Sequence, residues 1–340
     1  MRGLMMLFFL TAALPIGAQS YEITHTYKVG GDGGWDYVIP DAPNHRVFIG
    51  RSNRVIVVDM NDGRLIAEIT GLNGAHGVAI APGTRHGFAT SGEDSSIVMF
   101  DTRSYKTLGR IPAADDADAI IYDPATKRVF SFNGDANSTT VVDAVKGTLI
   151  RNIDLGGKPE YGQADGRGRV FVNLTDSNQV VEIDSRKLTV TRRWSTNPCT
   201  SPVPMAIDTR RHRLFSACRN GMLAVSDYTN GRVVATVPIG SGVDGAGYDP
   251  VRRDVYTSNG GDGTLTVIHQ DDADKYHVVE NVRTAQASRN MGLDLASHRI
   301  YLPAADFGPR PDSTAENPRR RPPMVPGSFK VIVVEPVGSH

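Results

Sequence analysis

Residues 116–144 read DADAIIYDPATKRVFSFNGDANSTTVVDA and contain most of one repeating unit of the chain. A short apolar segment ends in a turn that Asp123 and Pro124 favour, because both residue types preset a bend. A β-branched and aromatic segment follows, and a turn of Asn, Gly and Asp leads into a third segment. Segments of this kind predict short β-strands. Asp118, a carboxylate, stands where the first of these strands begins.

The aromatic residue Phe130 in this stretch recurs along the chain every 40–45 residues. Its equivalents are Phe48, Phe88, Phe171, Phe215, Tyr256 and Tyr301. A period of roughly this length, with about four short strands in each unit, is typical of a β-propeller. The sequence therefore predicts an all-β fold, a seven-bladed β-propeller.

The last unit lacks an outer strand, and the segment YEITHTYKV at 21–29 resembles the outer strands of other units. We expect the N-terminal strand to pair into the last blade and close the ring, which removes exposed strand edges. Residues 19–340 are thus predicted to form one domain. A Pro-rich insertion at 308–327 interrupts the last blade, and its composition favours a solvated loop, with the Arg319–Arg321 run as a site that would attract an acidic partner.

The first 18 residues, MRGLMMLFFLTAALPIGA, have one Arg, an apolar run and then small residues. This pattern predicts a secretory signal peptide at 1–18, and hence a periplasmic or secreted protein. No later stretch approaches membrane-spanning length, so no membrane association is expected.

The chain has 37 basic and 37 acidic side chains and a formal net charge of zero. Such a balance predicts no broad basic face, so nucleic acid is disfavoured as a partner. We expect a monomer whose partner is a small polar or anionic ligand, with a protein partner at the channel mouth as the other option.

Cys199 and Cys218 are the two cysteines of the chain. In an oxidising compartment two thiols in one chain are commonly paired, which favours a disulfide. Two buried free thiols and a soft metal pair are the alternatives, although two sulfurs alone make a poor metal site.

The segment VYTSNGGDGTLTVIH at 255–269 has an aromatic residue, small residues, Asn, a Gly-rich turn and then an alternating strand. It resembles the YVTN-type repeat, and the chain over 21–335 is similar to YncE-like propellers of exported bacterial proteins. The resemblance implies a seven-bladed propeller, with an unassigned or binding-type activity and, in some members, nucleic-acid binding. It supplies no catalytic motif.

In a propeller the first strand of every blade lines a central channel, and ligands usually bind at its mouth. Asp118 lies five residues before the turn that Asp123 begins, and the same position can be located in every unit. The equivalents are Asp36, His76, Glu160, Val203, Asp244 and Arg289. Six of these seven positions are ionisable, and charges in a partly desolvated channel must pair, shift their pKa values or hold an ion.

Consecutive units supply Asp36, His76, Asp118 and Glu160, which predicts one arc that gathers a divalent cation, Ca²⁺, Mg²⁺, Mn²⁺ or Zn²⁺. Arg289 would clamp an anionic group, or simply neutralise its neighbours Asp244 and Asp36. We call the seven equivalent channel positions the ring. The residues that follow three of them, Tyr37, Tyr161 and Asn290, would hydrogen-bond a ligand from deeper in the channel or pack between blades.

Three functional hypotheses follow. The first is a propeller that binds a small polar ligand or a divalent metal at the channel mouth without turnover. The second is a metal-dependent hydrolase or lyase of lactonase type, in which His76, Asp118 or Glu160 acts as general base. The third is a protein-interaction scaffold that uses the insertion at 308–327 as its arm.

Overall fold

The structure, a computed structural model, describes residues 20–312 and 320–338. The predicted signal peptide at 1–18 lies outside the described residues, and so do residues 313–319 of the Pro-rich insertion. Within the described ranges no helix is long and apolar enough to cross a membrane.

The described chain is all-β. Two short 3-10 helices, Ala42–Asn44 and Gly92–Asp94, occur in its turns. The strands in chain order are β1 (Ser20–Lys28), β2 (Val38–Asp41), β3 (Arg46–Asp59), β4 (Leu65–Ala81), β5 (His86–Ser91), β6 (Ser96–Asp101), β7 (Thr107–Pro112), β8 (Ala117–Asp123), β9 (Arg128–Asn133), β10 (Ser138–Asp143), β11 (Thr148–Asp154), β12 (Pro159–Ala164), β13 (Arg169–Leu174), β14 (Gln179–Asp184), β15 (Thr189–Ser195), β16 (Pro202–Asp208), β17 (Arg213–Cys218), β18 (Met222–Asp227), β19 (Arg232–Pro238), β20 (Val243–Asp249), β21 (Asp254–Asn259), β22 (Thr264–Asp272), β23 (Lys275–Arg283), β24 (Gly292–Asp294), β25 (Arg299–Ala304) and β26 (Lys330–Val337).

These strands form six antiparallel sheets, which are the blades of a β-propeller. Five sheets have four strands, and the sixth has six strands in the order β2-β3-β4-β5-β6-β7. The prediction of seven blades is therefore wrong, and the structure has six. The physical reason is that β3 and β4 run on for 14 and 17 residues, bending at register shifts, so the first two sequence units share one hydrogen-bonded sheet.

The N-terminal strand closes the ring as expected. β1 pairs antiparallel with β26, from Ser20 opposite Val337 to Lys28 opposite Lys330, and completes the sheet β1-β26-β25-β24. Tyr21 on β1 also reaches the neighbouring sheet, where its hydroxyl donates to Asp254 Oδ2 at 2.5 Å. This contact ties the closing strand to a second blade.

The recurring aromatic residues explain the period of the sequence. Each stands in the second strand of its unit, and the seven aromatic rings are 0–1% exposed because they pack between neighbouring units. Phe48 and Phe100 show the arrangement, with ring centroids 5.9 Å apart. Burying one such ring contributes about 2–3 kcal/mol, so one large ring in each unit supplies much of the core.

Candidate functional site at the channel mouth

A β-bulge places the ring residues. In β8, Ala117 pairs with Asn133 while Ile120 pairs with Ser131, so one extra residue is inserted next to Asp118. The same register shift brackets the equivalent positions of four other inner strands, which hold His76, Glu160, Val203 and Asp244. Bulges re-aim a side chain out of the regular alternation of a strand. The positions that are equivalent in sequence therefore share the same local backbone geometry.

Asp36 sits in a similar arrangement just before β2. The Asp36 amide donates to the carbonyl of Gly50 at 3.1 Å, and the Gly50 amide donates to the carbonyl of Tyr37 at 3.2 Å. Asp36 and Tyr37 therefore both lie opposite the single residue Gly50. Gly50 is confined by the next inner strand, because an added Cβ would lie 2.1 Å from the carbonyl oxygen of His76. Glycine at this position therefore lets the backbones that carry Asp36 and His76 approach each other.

Neighbouring strands hold the ring backbone elsewhere as well. Thr90 Oγ1 donates to the carbonyl of Asp118 at 2.6 Å, and Asn173 Nδ2 donates to the carbonyl of Val203 at 3.2 Å. These bonds run from the second strand of one unit to the ring position of the next. The backbone at these ring positions is thus held by its own sheet and by a side chain of the preceding unit.

Asp36, His76 and Asp118 form a close cluster. His76 Nδ1 lies 2.7 Å from Asp36 Oδ2 and 3.4 Å from Asp118 Oδ1. One potential ligand atom from each residue lies within 4.8 Å of the others. In the described part of the chain the buried Asp118 Oδ1 has no hydrogen-bond partner. This arrangement of one nitrogen and two carboxylate oxygens can surround a single ion.

Arg289 and Asp244 form a second pair at the mouth. Arg289 Nε donates to Asp244 Oδ2 at 2.6 Å. Asn290 Nδ2 lies 3.2 Å from Asp36 Oδ1 and 3.4 Å from Asp244 Oδ2, so its amide links the pair to the cluster. Arg289 therefore pairs with one of the two acidic neighbours named from the sequence, and Asn290 contacts both.

Glu160 stands apart from the close cluster of ligand atoms. Burial, helped by the charge of Asp244, raises the Glu160 pKa to about 7, although Arg219 opposes the shift. Arg219 was missed by the sequence argument. It follows Cys218 directly, in the unit whose ring position is Val203, and its place in a mouth-facing turn was the available signal.

Burial and neighbouring carboxylates shift the pKa values of the side chains at the mouth. Burial and the charge of Asp36 raise the pKa of Asp118 well above its ordinary value. Burial opposes ionisation of His76, but its hydrogen bond to Asp36 and the charge of Asp118 outweigh burial and raise the His76 pKa to about 9. Burial likewise raises the pKa of Asp244, despite Arg289. A bound cation would relieve this repulsion.

Tyr37 and Tyr161 contact each other and follow the ring positions Asp36 and Glu160 by one residue. Their rings are stacked with centroids 5.2 Å apart, although they come from sequence units on different sides of the channel. Together with Asp244 and Asn290 they line a cavity of about 30 Å³, which has room for about one water molecule. Burial and the surrounding carboxylates raise the pKa of Tyr37, so its hydroxyl stays protonated.

An open cavity of about 310 Å³ adjoins the cluster. Asp36 and His76 lie on one part of its wall, and Trp35, Glu93 and Arg289 on others. The cavity is thus continuous with the candidate ligand atoms. A small molecule in it would contact the ring directly.

Arg51 is a further residue that the sequence argument missed. Its side chain is fully buried, and it donates to the carbonyls of Asp32, Gly33 and Gly34 at 2.9 Å each. Its guanidinium carbon lies 3.6 Å from the ring centroid of Phe329. Arg51 therefore fixes the glycine-rich loop that leads into the ring.

The disulfide and the insertion also lie at the mouth face. Cys199 and Cys218 are joined, with Cα atoms 5.6 Å apart, in the unit whose ring residue is Val203. At the described ends of the insertion Phe307 bridges to Met324, and the Gly308 amide donates to the carbonyl of Pro323 at 2.9 Å. Its described arginines, Arg310, Arg320 and Arg321, are exposed, whereas residue 319 is outside the described ranges.

Comparison with known proteins supports the fold. No family model matches the chain, and no curated protein matches it. Among solved structures the chain is similar to Kuenenia stuttgartiensis hydrazine synthase, with a TM-score of 0.70 and 16% sequence identity over 81% of this chain and 94% of that one. At this identity the likeness shows the fold alone, a β-propeller.

Proposed function

We propose that this chain is an exported, YVTN-type binding propeller that holds a divalent cation at the channel mouth. The observation that carries the proposal is the convergence of one ligand atom from each of Asp36, His76 and Asp118 within 4.8 Å. Cations bound by such atoms lie about 2.0–2.2 Å from each ligand, which places neighbouring ligand atoms about 3 Å apart. The observed 2.7 Å and 3.4 Å separations suit that spacing.

The chemistry of the ligand set favours Mn²⁺ or Zn²⁺ among the four cations named from the sequence. Ca²⁺ takes six to eight oxygen ligands, and Mg²⁺ also prefers oxygen. One imidazole with two carboxylates suits borderline metals. Three protein ligands also leave at least one coordination position for water or a small ligand.

Export is supported by two features. The disulfide between Cys199 and Cys218 fits an oxidising compartment, and the N-terminal sequence has the pattern of a signal peptide. The YVTN assignment rests on the repeat residues at 255–269.

Glu160 favours a second candidate function, a metal-dependent hydrolase or lyase. Its pKa of about 7 lies near the value that suits a general base at neutral pH. In that case Glu160 would accept a proton from a water molecule at the mouth, and Arg289 would orient an anionic substrate. Turnover would distinguish this candidate from simple binding.

The test is calorimetric titration of chelator-treated protein with Mn²⁺ and with Zn²⁺. Asp118→Asn keeps the side-chain shape and removes one charged ligand, so it should weaken binding by about tenfold or more. Asp176→Asn, at an exposed acid in another mouth-face turn, is the matched control and should leave the affinity unchanged. Absence of binding in the unaltered protein, or equal affinities of the two variants, contradicts the proposal.

A further inference from the structure

The cavity of about 310 Å³ has charges of opposite sign on its wall. Asp36 and His76, two of the proposed cation ligands, lie on one part, and the guanidinium of Arg289 lies on another. A cation in the cluster would therefore face the same space as a fixed positive side chain. Two positive groups around one cavity are a recognition site for an anion.

Arg289 is positioned to accept such an anion. Its Nε is committed to Asp244 at 2.6 Å, which fixes the direction of the side chain. Its two terminal nitrogens make no hydrogen bond to the described residues, and the side chain is 39% exposed. The two terminal nitrogens of Arg289 can therefore donate into the cavity, and the bond from Nε to Asp244 fixes their orientation.

A bound cation also removes the net negative charge of the ring carboxylates. A divalent cation and Arg289 together offset the three carboxylates Asp36, Asp118 and Asp244. Arg219 adds a further positive charge, whose influence reaches both Glu160 and Asp244. This arginine offsets the fourth ring carboxylate, Glu160, so a ring that holds the cation does not repel a small anion.

We propose that the mouth binds a small monocarboxylate, with one carboxylate oxygen on the cation and the other on the terminal nitrogens of Arg289. This inference rests on the proposed cation site. A carboxylate is chosen because it is flat and has two oxygens, which fit a metal on one side and a guanidinium on the other.

The remaining wall defines the rest of the ligand. Trp35 supplies an aromatic surface, and Ser52 and Asn73 supply a hydroxyl and an amide. Glu93 is an acid on the same wall, so a second carboxylate at that end would be repelled, whereas a hydroxyl or amino group would be accepted. The ligand class is therefore a monocarboxylate with a polar substituent.

The experiment titrates Mn²⁺-loaded protein with lactate and with lactamide, its uncharged analogue, by calorimetry and by the relaxation of water protons near Mn²⁺. Lactate should bind at least about tenfold more tightly than lactamide and should displace Mn²⁺-bound water, because only lactate offers a charged oxygen. Mn²⁺ affinity is measured first and separately. No Mn²⁺ binding overturns the proposed function, whereas Mn²⁺ binding with equal or no binding of the two probes overturns only this inference.

Variants of Arg289 test the second contact. Arg289→Gln should weaken lactate binding by about tenfold or more while Mn²⁺ still binds. Arg289→Lys should recover part of the loss, because lysine keeps the positive charge but lacks the planar guanidinium and its paired donors. Arg310→Gln, at an exposed arginine of the mouth face, is the matched control. Lactate affinities that are the same in the Arg289→Gln and Arg310→Gln variants refute the assignment of Arg289.

Discussion

Replacing Glu160 by Gln should stabilise the metal-free protein at alkaline pH. Glu160 makes no hydrogen bond or ion pair with another residue of the described chain, so the substitution removes a charge and no specific contact. Its pKa is raised from 4.5 to about 7, chiefly by burial and by the charge of Asp244. The ionised carboxylate is therefore destabilising in the folded state, and a neutral amide of the same shape is not.

The pKa difference gives the magnitude and its pH dependence. A folded-state pKa of about 7 against 4.5 when unfolded corresponds to about 3 kcal/mol. Below pH 4.5 the carboxyl is protonated in both states and carries no penalty. As the pH rises from 4.5 to about 7 the unfolded state loses its proton first, so the free energy of unfolding falls, and above about pH 7 the full penalty remains.

The assay is urea unfolding in the presence of a chelator at about pH 5 and about pH 8.5. The free energy of unfolding of the Glu160→Gln variant should exceed that of the unaltered protein by about 3 kcal/mol at the higher pH and by less than about 1 kcal/mol at the lower pH. Glu93→Gln, at an exposed glutamate of the same face, should change stability by no more than about 0.5 kcal/mol at either pH. A gain that is equal at both pH values, or a loss at both, refutes the reasoning.

Three further predictions concern the ring and its closure. His76 must lose a proton to bind a metal and its pKa is about 9, so calorimetric Mn²⁺ affinity should rise about tenfold per pH unit between about pH 6.5 and 8.5. Gly50→Ala should lower the free energy of unfolding by about 3 kcal/mol, because its Cβ would meet the His76 carbonyl oxygen, whereas Gly109→Ala, with open space around it, should not. Tyr21→Phe removes the hydroxyl that donates to Asp254 and should cost about 1–3 kcal/mol in the same urea assay.

Much of the fold could be predicted because the sequence repeats the features that determine it. Phe130 and its equivalents mark a strand that is buried between neighbouring units, and the polar turn residues mark its ends. The closing strand was predictable because the last unit lacked a partner for β26. The number of blades was not, since residues 71–74 resemble a turn between two units in sequence, while β4 continues through them and keeps both units in one sheet.

The ring positions could also be predicted, but their contacts could not. Counting back five residues from the start of each turn found Asp36, His76 and Asp118, because the bulge recurs at the same distance from the turn in β4 and β8. Which of the ring residues touch depends on the geometry across the channel, so the separation of Glu160 from the cluster was not predictable. Arg51 was missed because its partners are backbone carbonyls, which have no signature in a sequence.

The corrected blade count bears on the candidate site. Asp36 precedes β2 and His76 lies on β4, so two of the three proposed ligands belong to the same six-stranded sheet. Gly50 on β3 joins them, because it bonds to the backbone at Asp36 and Tyr37 and packs against the His76 carbonyl. In separate blades the distance between these ligands would depend on how two sheets pack. Within one sheet it depends on backbone hydrogen bonds, which are shorter and more directional, and a metal site needs that precision.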